Sequence, residues 1–294
     1  MKTFPHIYNF YELILTDPVK YRQFECDQGL MTEFNCPLQN KVQPLWAQYN
    51  YILFVLEGKK IWHTPVSAFE MKPGDCAFIR KGGNLVEQFF DSNFCVVVFF
   101  LPDSFISETL RPVVKPIRLP TDGNPSPVIR VEMDDTLTAF FHSMLPYFTR
   151  MQPPEKMLLE LKFRELLLNI ADNPRNRAFM DYCYSLMQGG PGASLRAIME
   201  DNFCYNLTLE AYAQLCNRSL SAFKRDFQKT FQTTPGKWLL AKRLEHARTQ
   251  LAVSEKTVSE VAFESGFENL SHFSRVFRER FGVPPAAMRM QTAY

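Results

Sequence analysis

Two segments of the chain, fifty positions apart, carry the same spacing of Leu, Ser, Phe and Arg. The first contains Leu220, Ser221, Phe223, Arg225 and Phe227, and the second repeats these residue types in the same order. Phenylalanines at i, i+4 and i+8 lie along one side of a helix, which leaves the serine and the arginine on the other side. Hydroxyl and guanidinium groups on an exposed helix can hydrogen bond to bases and phosphates. The repeat therefore predicts two DNA-binding helices, named here the reading helices.

Each of these helices needs a supporting helix before it, because a helix-turn-helix places only its second helix in the major groove. In the first copy we expect the supporting helix over 209–216 and a turn at Asn217, which tolerates the left-handed conformation. In the second copy we expect it over 258–264 and a turn at Gly266, which permits a positive φ. Asn269 is a preferred N-cap residue for the second reading helix.

One helix over 237–251 is predicted to connect the two copies. A rigid connection would hold both reading helices in fixed relation, so that they enter successive major grooves about 10 bp apart. The copies differ where DNA would be read: Lys224 corresponds to Ser274, and Ala222 corresponds to His272. The sequence therefore predicts one asymmetric DNA site per subunit.

Further residues extend the likeness between this region and a known family. They are Ala213, Phe227, Pro235, Arg243, Leu244, Ala247, Val261, Ala262, Gly266, Phe267 and Gly282, together with the second Ser-Phe-Arg-Phe pattern. From about Leu195 to Arg289 the chain resembles the DNA-binding region of AraC/XylS-type bacterial transcription regulators. It departs from that family at Asn217 and Gln232, where glycine is usual, and at Pro284, where a small hydroxyl residue is common.

The resemblance implies which residues lie near bases or phosphates. They are Ser221, Lys224 and Arg225 in the first helix-turn-helix and Asn269, Leu270, Ser271, His272 and Arg275 in the second. Helical periodicity adds Gln228 and Arg278, which fall on the outward faces. Alternatives stay open: Arg225 and Arg275 could be intramolecular anchors or phosphate contacts, His272 could be a phosphate-binding or a surface residue, and Leu270 could simply pack.

The N-terminal half contains short runs of β-branched and aromatic residues separated by turn residues. The runs are 49–56, 60–62, 76–80, 85–90 and 94–101, with turns expected at Glu57-Gly58, Lys72-Pro73-Gly74-Asp75 and Lys81-Gly82-Gly83-Asn84. This pattern predicts hairpins in a small antiparallel sandwich or barrel. The turns at Gly58 and Pro73-Gly74-Asp75 resemble those of a cupin-like barrel, the sensory domain commonly joined to this DNA-binding region.

Helical periodicity follows, over 132–150 and 155–171, with a third helix near 178–188. The second of these helices has more apolar residues than one buried face requires, so the excess packs on the barrel or meets a second subunit. These residues are Leu158, Leu159, Leu161, Phe163, Leu166, Leu167, Leu168 and Ile170. The homodimer and the barrel-packing alternatives both remain open.

The complete prediction is an α+β chain with an N-terminal cupin-like antiparallel β-barrel and helical hairpin, followed by an all-α tandem helix-turn-helix domain. Its domains would be a sensory barrel over 1–125, linker and dimerisation helices over 126–190, and the DNA-binding domain over 191–294. The last boundary rests on the breakers from Gly189 to Gly192. The formal charge divides unevenly, with 14 Lys and Arg against 10 Asp and Glu in residues 194–294 and 19 against 21 before them. This asymmetry favours a nucleic-acid-facing C-terminus.

Composition and motifs exclude several other classes of protein. The seven cysteines form no C-x-x-C pair, no signal-peptide pattern is present, and the apolar run 94–101 is too short for a membrane helix. We therefore expect a cytoplasmic location. Residues 1–120 contain only His6 and His63, whereas cupin enzymes cluster histidines around a metal, so we expect no metal, no cofactor and no catalytic residue.

We therefore predict a sequence-specific transcription regulator, an activator, whose partners are double-stranded promoter DNA and RNA polymerase. Its regulatory input is a small molecule or a partner protein. Five aromatics could line an effector pocket, although aromatics of a small barrel are more often core: Trp46, Tyr49, Tyr51, Trp62 and Phe78. The alternative function is a cupin enzyme with an accessory DNA-binding tail.

Overall fold

The computed structural model describes residues 7–35, 40–63, 68–90, 93–113, 126–150, 152–188 and 191–291. They separate into two compact units, which break between residues 188 and 191. His6, Cys36 and the predicted boundary residues Gly189 and Gly190 lie outside the described residues. Each unit has its own hydrophobic core.

The first unit contains two β-sheets. Its strands are β1 Tyr8–Asn9, β2 Gln23–Cys26, β3 Gly29–Asn35, β4 Val42–Ala47, β5 Asn50–Glu57, β6 Lys60–His63, β7 Ala68–Met71, β8 Cys76–Ile79, β9 Gly82–Gln88, β10 Cys95–Leu101 and β11 Val128–Val131. One sheet has the order β1-β4-β9-β6-β7 and the other has the order β11-β8-β5-β10-β3-β2. The pairs are antiparallel except for β1 with β4.

These sheets do not close into the predicted barrel, and at each of the three expected hairpin turns, 57–58, 72–75 and 81–84, the chain passes from one sheet to the other. β8 belongs to the six-stranded sheet and β9 to the five-stranded sheet. Gly82 and Gly83 are strand residues that pair with Ala47 and Trp46 of β4. The two glycines therefore do not form the predicted turn at 81–84, and the two sheets stay separate among the described residues.

The six-stranded sheet is covered on both faces. Tyr51, Leu53 and Phe100 pack toward the five-stranded sheet in one cluster, and their neighbours Phe54 and Phe99 belong to a second cluster with the helices. A strand with two buried faces is apolar at every position instead of alternating. This arrangement explains the unbroken apolar run that forms β10.

Among the described residues, five α-helices accompany the sheets: α1 Phe10–Leu15, α2 Asp103–Leu110, α3 Asp135–Thr149, α4 Lys156–Asp172 and α5 Arg177–Gln188. The predicted helical hairpin is present as α3 and α4, which contact each other. Phe141 of α3 stacks on Phe54 with ring centroids 4.4 Å apart, and Phe163 of α4 meets Phe99 edge-on at 5.5 Å. Aromatic pairs of this kind hold the helices on the sheet.

Only part of the apolar surface of α4 is buried by that packing. Leu159, Phe163, Leu166, Leu167 and Ile170 are buried, as the alternative of packing on the sheet requires. On the outer side, Met157 is 77% exposed and Leu161 is 58% exposed, with Leu158 and Leu168 beside them at 38% and 40%. These four residues, named here the α4 stripe, remain an apolar surface of the first unit.

The second unit is helical: α6 Pro191–Asn202, α7 Leu209–Leu215, α8 Leu220–Phe231, α9 Pro235–Val253, α10 Val258–Glu264, α11 Leu270–Phe281 and α12 Pro285–Gln291. The two supporting helices and the connecting helix match their predicted bounds within two residues. Trp238 in the first half of α9 packs on Phe227 and Phe231 of α8, with ring centroids 6.1 and 5.0 Å apart. Leu244, Ala247 and Leu251 in its second half pack with the core of α10 and α11. The connecting helix therefore joins two separate small cores.

Candidate DNA-binding interface

The inner faces of both reading helices are buried. Phe223 and Phe227 of α8 and Phe273 and Phe277 of α11 have no exposed surface. Their rings meet at 5.8 Å in α8 and at 5.3 Å in α11. This burial fixes the rotation of each helix about its axis, so the opposite faces point to solvent.

Every residue that the sequence predicts near DNA lies on these outward faces. They are Ser221, Lys224, Arg225 and Gln228 on α8, and Asn269, Leu270, Ser271, His272, Arg275 and Arg278 at or on α11, all of them exposed. Leu270 is 37% exposed and so is not a core residue. The two outward faces thus offer several side-chain donors, among them three arginines and one lysine.

The paired arginines Arg225 and Arg275 interact only weakly with the protein. Arg225 lies 3.4 Å from Asp226, and Arg275 lies 3.0 Å from Glu279, each on its own helix. Exposed pairs of this kind contribute about 0–1 kcal/mol, so a phosphate or a guanine can replace the carboxylate. The intramolecular anchor of the first helix-turn-helix is instead Arg218, which is 14% exposed and forms an ion pair with Asp226 at 3.0 Å.

Side-chain caps begin both reading helices. Ser219 Oγ accepts from the Ala222 N–H at 3.3 Å, and Asn269 Oδ1 accepts from the His272 N–H at 2.9 Å. The predicted Asn269 cap is therefore confirmed. Because its carbonyl oxygen is used in the cap, Asn269 presents its amide N–H groups as donors to an outside acceptor.

The two turns begin alike and then differ in length. The Arg218 N–H bonds to the Ala213 carbonyl at 2.9 Å, and the Phe267 N–H bonds to the Ala262 carbonyl at 3.0 Å. Asn217 at φ 53° and Gly266 at φ 87° take the left-handed conformation in the two turns. The first turn has residues 216–219 and the second has 265–269, so the second is one residue longer. The two helix-turn-helix motifs are therefore not exact copies of each other.

The departures at Gln232 and Pro284 leave the helix ends intact. Gln232 takes the left-handed conformation at φ 56°, as Gly282 does at φ 78°, and both N–H groups bond back to their helix. The Pro284 carbonyl accepts from the Met288 N–H at 3.3 Å, as the Thr234 carbonyl accepts from the Trp238 N–H at 3.0 Å. The side chain of Thr234 makes no cap bond, so proline at 284 loses no cap interaction.

We expect Gln232→Gly to raise the free energy of unfolding of the second unit by about 0.5–1 kcal/mol, because glycine removes the cost of a left-handed side-chain residue. Denaturant unfolding followed by helical circular dichroism measures the change. The control is Lys229→Gly in the same helix, which we expect to lower stability by about 1 kcal/mol. Equal destabilisation by both variants would contradict a stability cost of the left-handed conformation at Gln232.

The aromatics predicted as core or pocket residues are mostly core. Trp46, Tyr51, Trp62 and Phe78 are buried. Tyr49 is only partly buried and packs against the cluster that contains Tyr51 and Trp62. A cavity of about 20 Å³ lies between the sheets. Its lining includes Phe10, Phe34, Tyr51, Lys60, Trp62 and Phe94. This volume is on the scale of one water molecule.

Burial sets the chemistry of the thiols in the first unit. It raises the pKa of the Cys76 and Cys183 thiols and raises that of Cys95 to about 12, so these groups stay protonated at neutral pH. Among the described residues, no three His, Cys, Asp or Glu side chains come together as a metal ion would require. None of the helices in the described ranges is long and apolar enough to cross a membrane.

Two known domains match the chain at positions that agree with this architecture. A helix-turn-helix domain matches residues 212–291, which contain α8, α9 and α11, and the ExsA N-terminal regulatory domain matches residues 50–182. The chain is an AraC-family transcription regulator. The prediction of a DNA-binding transcription regulator with an N-terminal regulatory domain is confirmed over the alternative of a cupin enzyme.

Relatives of this AraC-family regulator align along most of its length. The virulence regulon transcriptional activator VirF of Yersinia enterocolitica is 25% identical over 243 residues, which are 82% of this chain and 88% of VirF. The regulator ExsA of Pseudomonas aeruginosa is 25% identical over 247 residues, 81% of this chain and 85% of ExsA. Among solved structures, ToxT of Vibrio cholerae is similar with a TM-score of 0.39 and 11% identity, covering 91% of this chain and 100% of ToxT.

Proposed function

We propose that this AraC-family regulator activates transcription by binding one asymmetric promoter site per chain. The observation that carries the proposal is the pair of outward faces on α8 and α11, held outward by the buried phenylalanines beneath them. The name of VirF, a transcriptional activator, supports activation. The protein would act in the cytoplasm, recruit RNA polymerase, and have no enzymatic activity of its own.

The chemistry of the exposed residues suggests a division of labour in DNA recognition. Arg225 and Arg275 suit guanine edges or phosphates, because a guanidinium donates two parallel hydrogen bonds. Lys224, Arg278 and His272 suit phosphates, and Ser221, Gln228 and Ser271 offer uncharged hydrogen-bonding groups. Because Lys224 corresponds to Ser274 and Gln228 to Arg278, the two helices would prefer different half-sites.

Selection of bound duplexes from random sequence, followed by transcription in vitro, tests the proposal. The full-length protein should enrich one sequence and bind it at least about 10³-fold more tightly than unrelated DNA at physiological salt. A promoter carrying that sequence should give more transcript with bacterial RNA polymerase when the protein is added. Equal affinity for all duplexes would contradict specific DNA recognition, and a fall in transcript would contradict activation.

We further propose that the regulatory input is another protein and not a metabolite. Ligand sites for small molecules usually have volumes of about 300–1,000 Å³, whereas the cavity between the sheets has about 20 Å³ and is lined mainly by aromatic and aliphatic side chains. An input that binds outside the sheets needs no interior volume. Native mass spectrometry of protein purified from its own host gives the test: a bound metabolite at one per chain would contradict a protein input.

The α4 stripe is the surface that we propose for a homodimer, in keeping with a dimerisation role for residues 126–190. Its four apolar residues lie on one side of α4, whereas Leu159, Phe163, Leu166, Leu167 and Ile170 on the other side are buried. Exposed apolar area of this kind commonly marks a protein contact.

Leu161→Glu should therefore convert a dimer into a monomer, because a carboxylate in an apolar contact stays uncompensated. Sedimentation velocity at micromolar concentration measures the change. Val19→Glu is the matched control, since Val19 is 96% exposed and lies away from α4 in sequence. A monomeric wild-type protein, or dimers of unchanged stability in both variants, would contradict the dimer.

A further inference from the structure

The second turn packs closely against residues 203–206, the segment between α6 and the first supporting helix α7. A Cβ atom on Gly266 would lie 2.7 Å from the Cys204 carbonyl oxygen and 2.9 Å from Arg243 Nε. Real Cβ atoms do not approach backbone so closely, and Gly266 also has φ +87°. Glycine is therefore required at 266 for contact with the 203–206 segment as well as for the turn.

Arg243, near the middle of α9, ties the same two segments together. Its Nε donates to the Phe203 carbonyl at 2.7 Å, Nη2 to the Tyr205 carbonyl at 3.0 Å, and Nη1 to the Gly266 carbonyl at 3.0 Å. A planar guanidinium has five donors in a fixed arrangement, so one side chain can reach three carbonyls that a lysine could not. Arg243 thus links the segment before the first helix-turn-helix to the turn of the second helix-turn-helix.

Other polar contacts join the same segments. Asn206 hydrogen bonds to Glu268, the extra residue of the longer second turn. His246 Nδ1 lies 3.2 Å from Ser265 Oγ and 3.8 Å from Cys204 Sγ. Burial lowers the pKa of His246 and raises that of Cys204 to about 12, so both groups are uncharged at neutral pH. The extra residue of the second turn, Glu268, therefore makes one of these contacts.

We propose that these contacts, named here the joint, set the spacing and angle between the two reading helices and hence the spacing of the DNA half-sites. The joint consists of Arg243, Gly266 and the Asn206–Glu268 pair. Arg243 is a positioning residue, because its guanidinium is directed at protein carbonyls. Without the joint, the two small cores would be connected mainly through α9, and their relative orientation would be less strictly fixed. This inference rests on the proposed DNA-binding function.

The test measures tolerance to half-site spacing. The probes are a duplex selected by the full-length wild-type protein, the same duplex with 2 bp inserted between its halves, and duplexes with one half scrambled. An insertion of 2 bp turns one half relative to the other by roughly 70°, so the wild-type protein should lose at least about 10-fold in affinity. Arg243→Ala should reduce that ratio to about 2-fold or less while it keeps its affinity for each single half within about 2-fold.

Arg248→Ala is the control, since it removes the same charge from the same helix at a side chain that pairs with Glu245 and lies over Phe281. It should keep the wild-type ratio. Arg243→Lys should behave like Arg243→Ala, because one ammonium group cannot hydrogen bond to all three of these separated carbonyl oxygens. A wild-type ratio in Arg243→Ala, or equal loss of affinity for single halves and for the whole site, would overturn the proposal.

Asn206→Ala provides a second variant if Arg243→Ala fails to fold, because Asn206 and Glu268 are exposed. It should lower the spacing ratio in the same direction, and an unchanged ratio in a folded Asn206→Ala protein overturns the proposal. Failure of the proposed function looks different. In that case the wild-type protein itself enriches no duplex, whereas failure of the joint leaves specific wild-type binding intact.

Discussion

Replacing Arg225 and Arg275 together by alanine should weaken specific DNA binding by about 2–6 kcal/mol, because each guanidinium contributes about 1–3 kcal/mol at a base edge. Both side chains are largely exposed, at 76% and 64%, so their removal leaves the two cores unchanged. If both also neutralise phosphates, the slope of log affinity against log salt should fall in magnitude by about 2. Fluorescence anisotropy on the selected duplex at several salt concentrations measures both quantities.

The charge-matched control is Arg248→Ala with Arg280→Ala. These arginines pair with Glu245, at 3.0 and 3.7 Å, and lie off the reading faces. The control should lose much less specific affinity than the Arg225 and Arg275 double variant. Unchanged affinity and unchanged salt slope in the latter would remove α8 and α11 from DNA recognition.

Phe277→Ala should destabilise the second helix-turn-helix by about 3–5 kcal/mol, because a large buried side chain is replaced by a cavity. Phe277 has no exposed surface and meets Phe273 at 5.3 Å and Phe281 at 4.7 Å. Since α9 joins two separate cores, hydrogen exchange should accelerate mainly in 258–281 and much less in 209–231. Binding to the second half-site should fall with it.

Leu270→Ala supplies the comparison for stability, because Leu270 is 37% exposed on the same helix. A partly exposed leucine should cost clearly less than the buried phenylalanine, about 1 kcal/mol or below. Equal acceleration of exchange in both helix-turn-helix units of Phe277→Ala would show that the cores unfold as one, contrary to their separation in the structure.

The tandem helix-turn-helix could be predicted from sequence because its signals are local. Phenylalanine spacing gave the buried faces, and Asn217, Gly266 and Asn269 marked the turns and a cap. The exposed positions of Arg225 and Arg275 followed from the same periodicity. Helix α6 was missed because it begins at Pro191-Gly192, residues that normally break helices.

The first unit was harder to predict because strand pairing is not local. The five predicted strands are present as β5, β6, β8, β9 and β10, but six others were missed: β1, β2, β3, β4, β7 and β11. β4 contains Pro44 and β3 begins at Gly29, and both residue types weaken a strand pattern. Whether glycines at 82 and 83 make a hairpin or a crossing between sheets depends on partners elsewhere in the chain.

The joint had the weakest sequence signal of all. Arg243 belongs to the residues that carry the family resemblance, but its partners are backbone carbonyls, which any residue possesses. The one-residue difference between the turns, by contrast, is visible once the helix bounds are known. Glu268 could have been found in this way.

In the proposed mode of binding, one chain reads one asymmetric site with two different helices. The most direct test of this mode is to determine the preferred DNA sequence of the wild-type protein, of Arg225→Ala and of Arg275→Ala by selection from random duplexes. We predict a non-palindromic wild-type site in which each variant loses base preference in a different half, with the affected positions about 10 bp apart. A palindromic site, or loss of preference at the same positions in both variants, would contradict it.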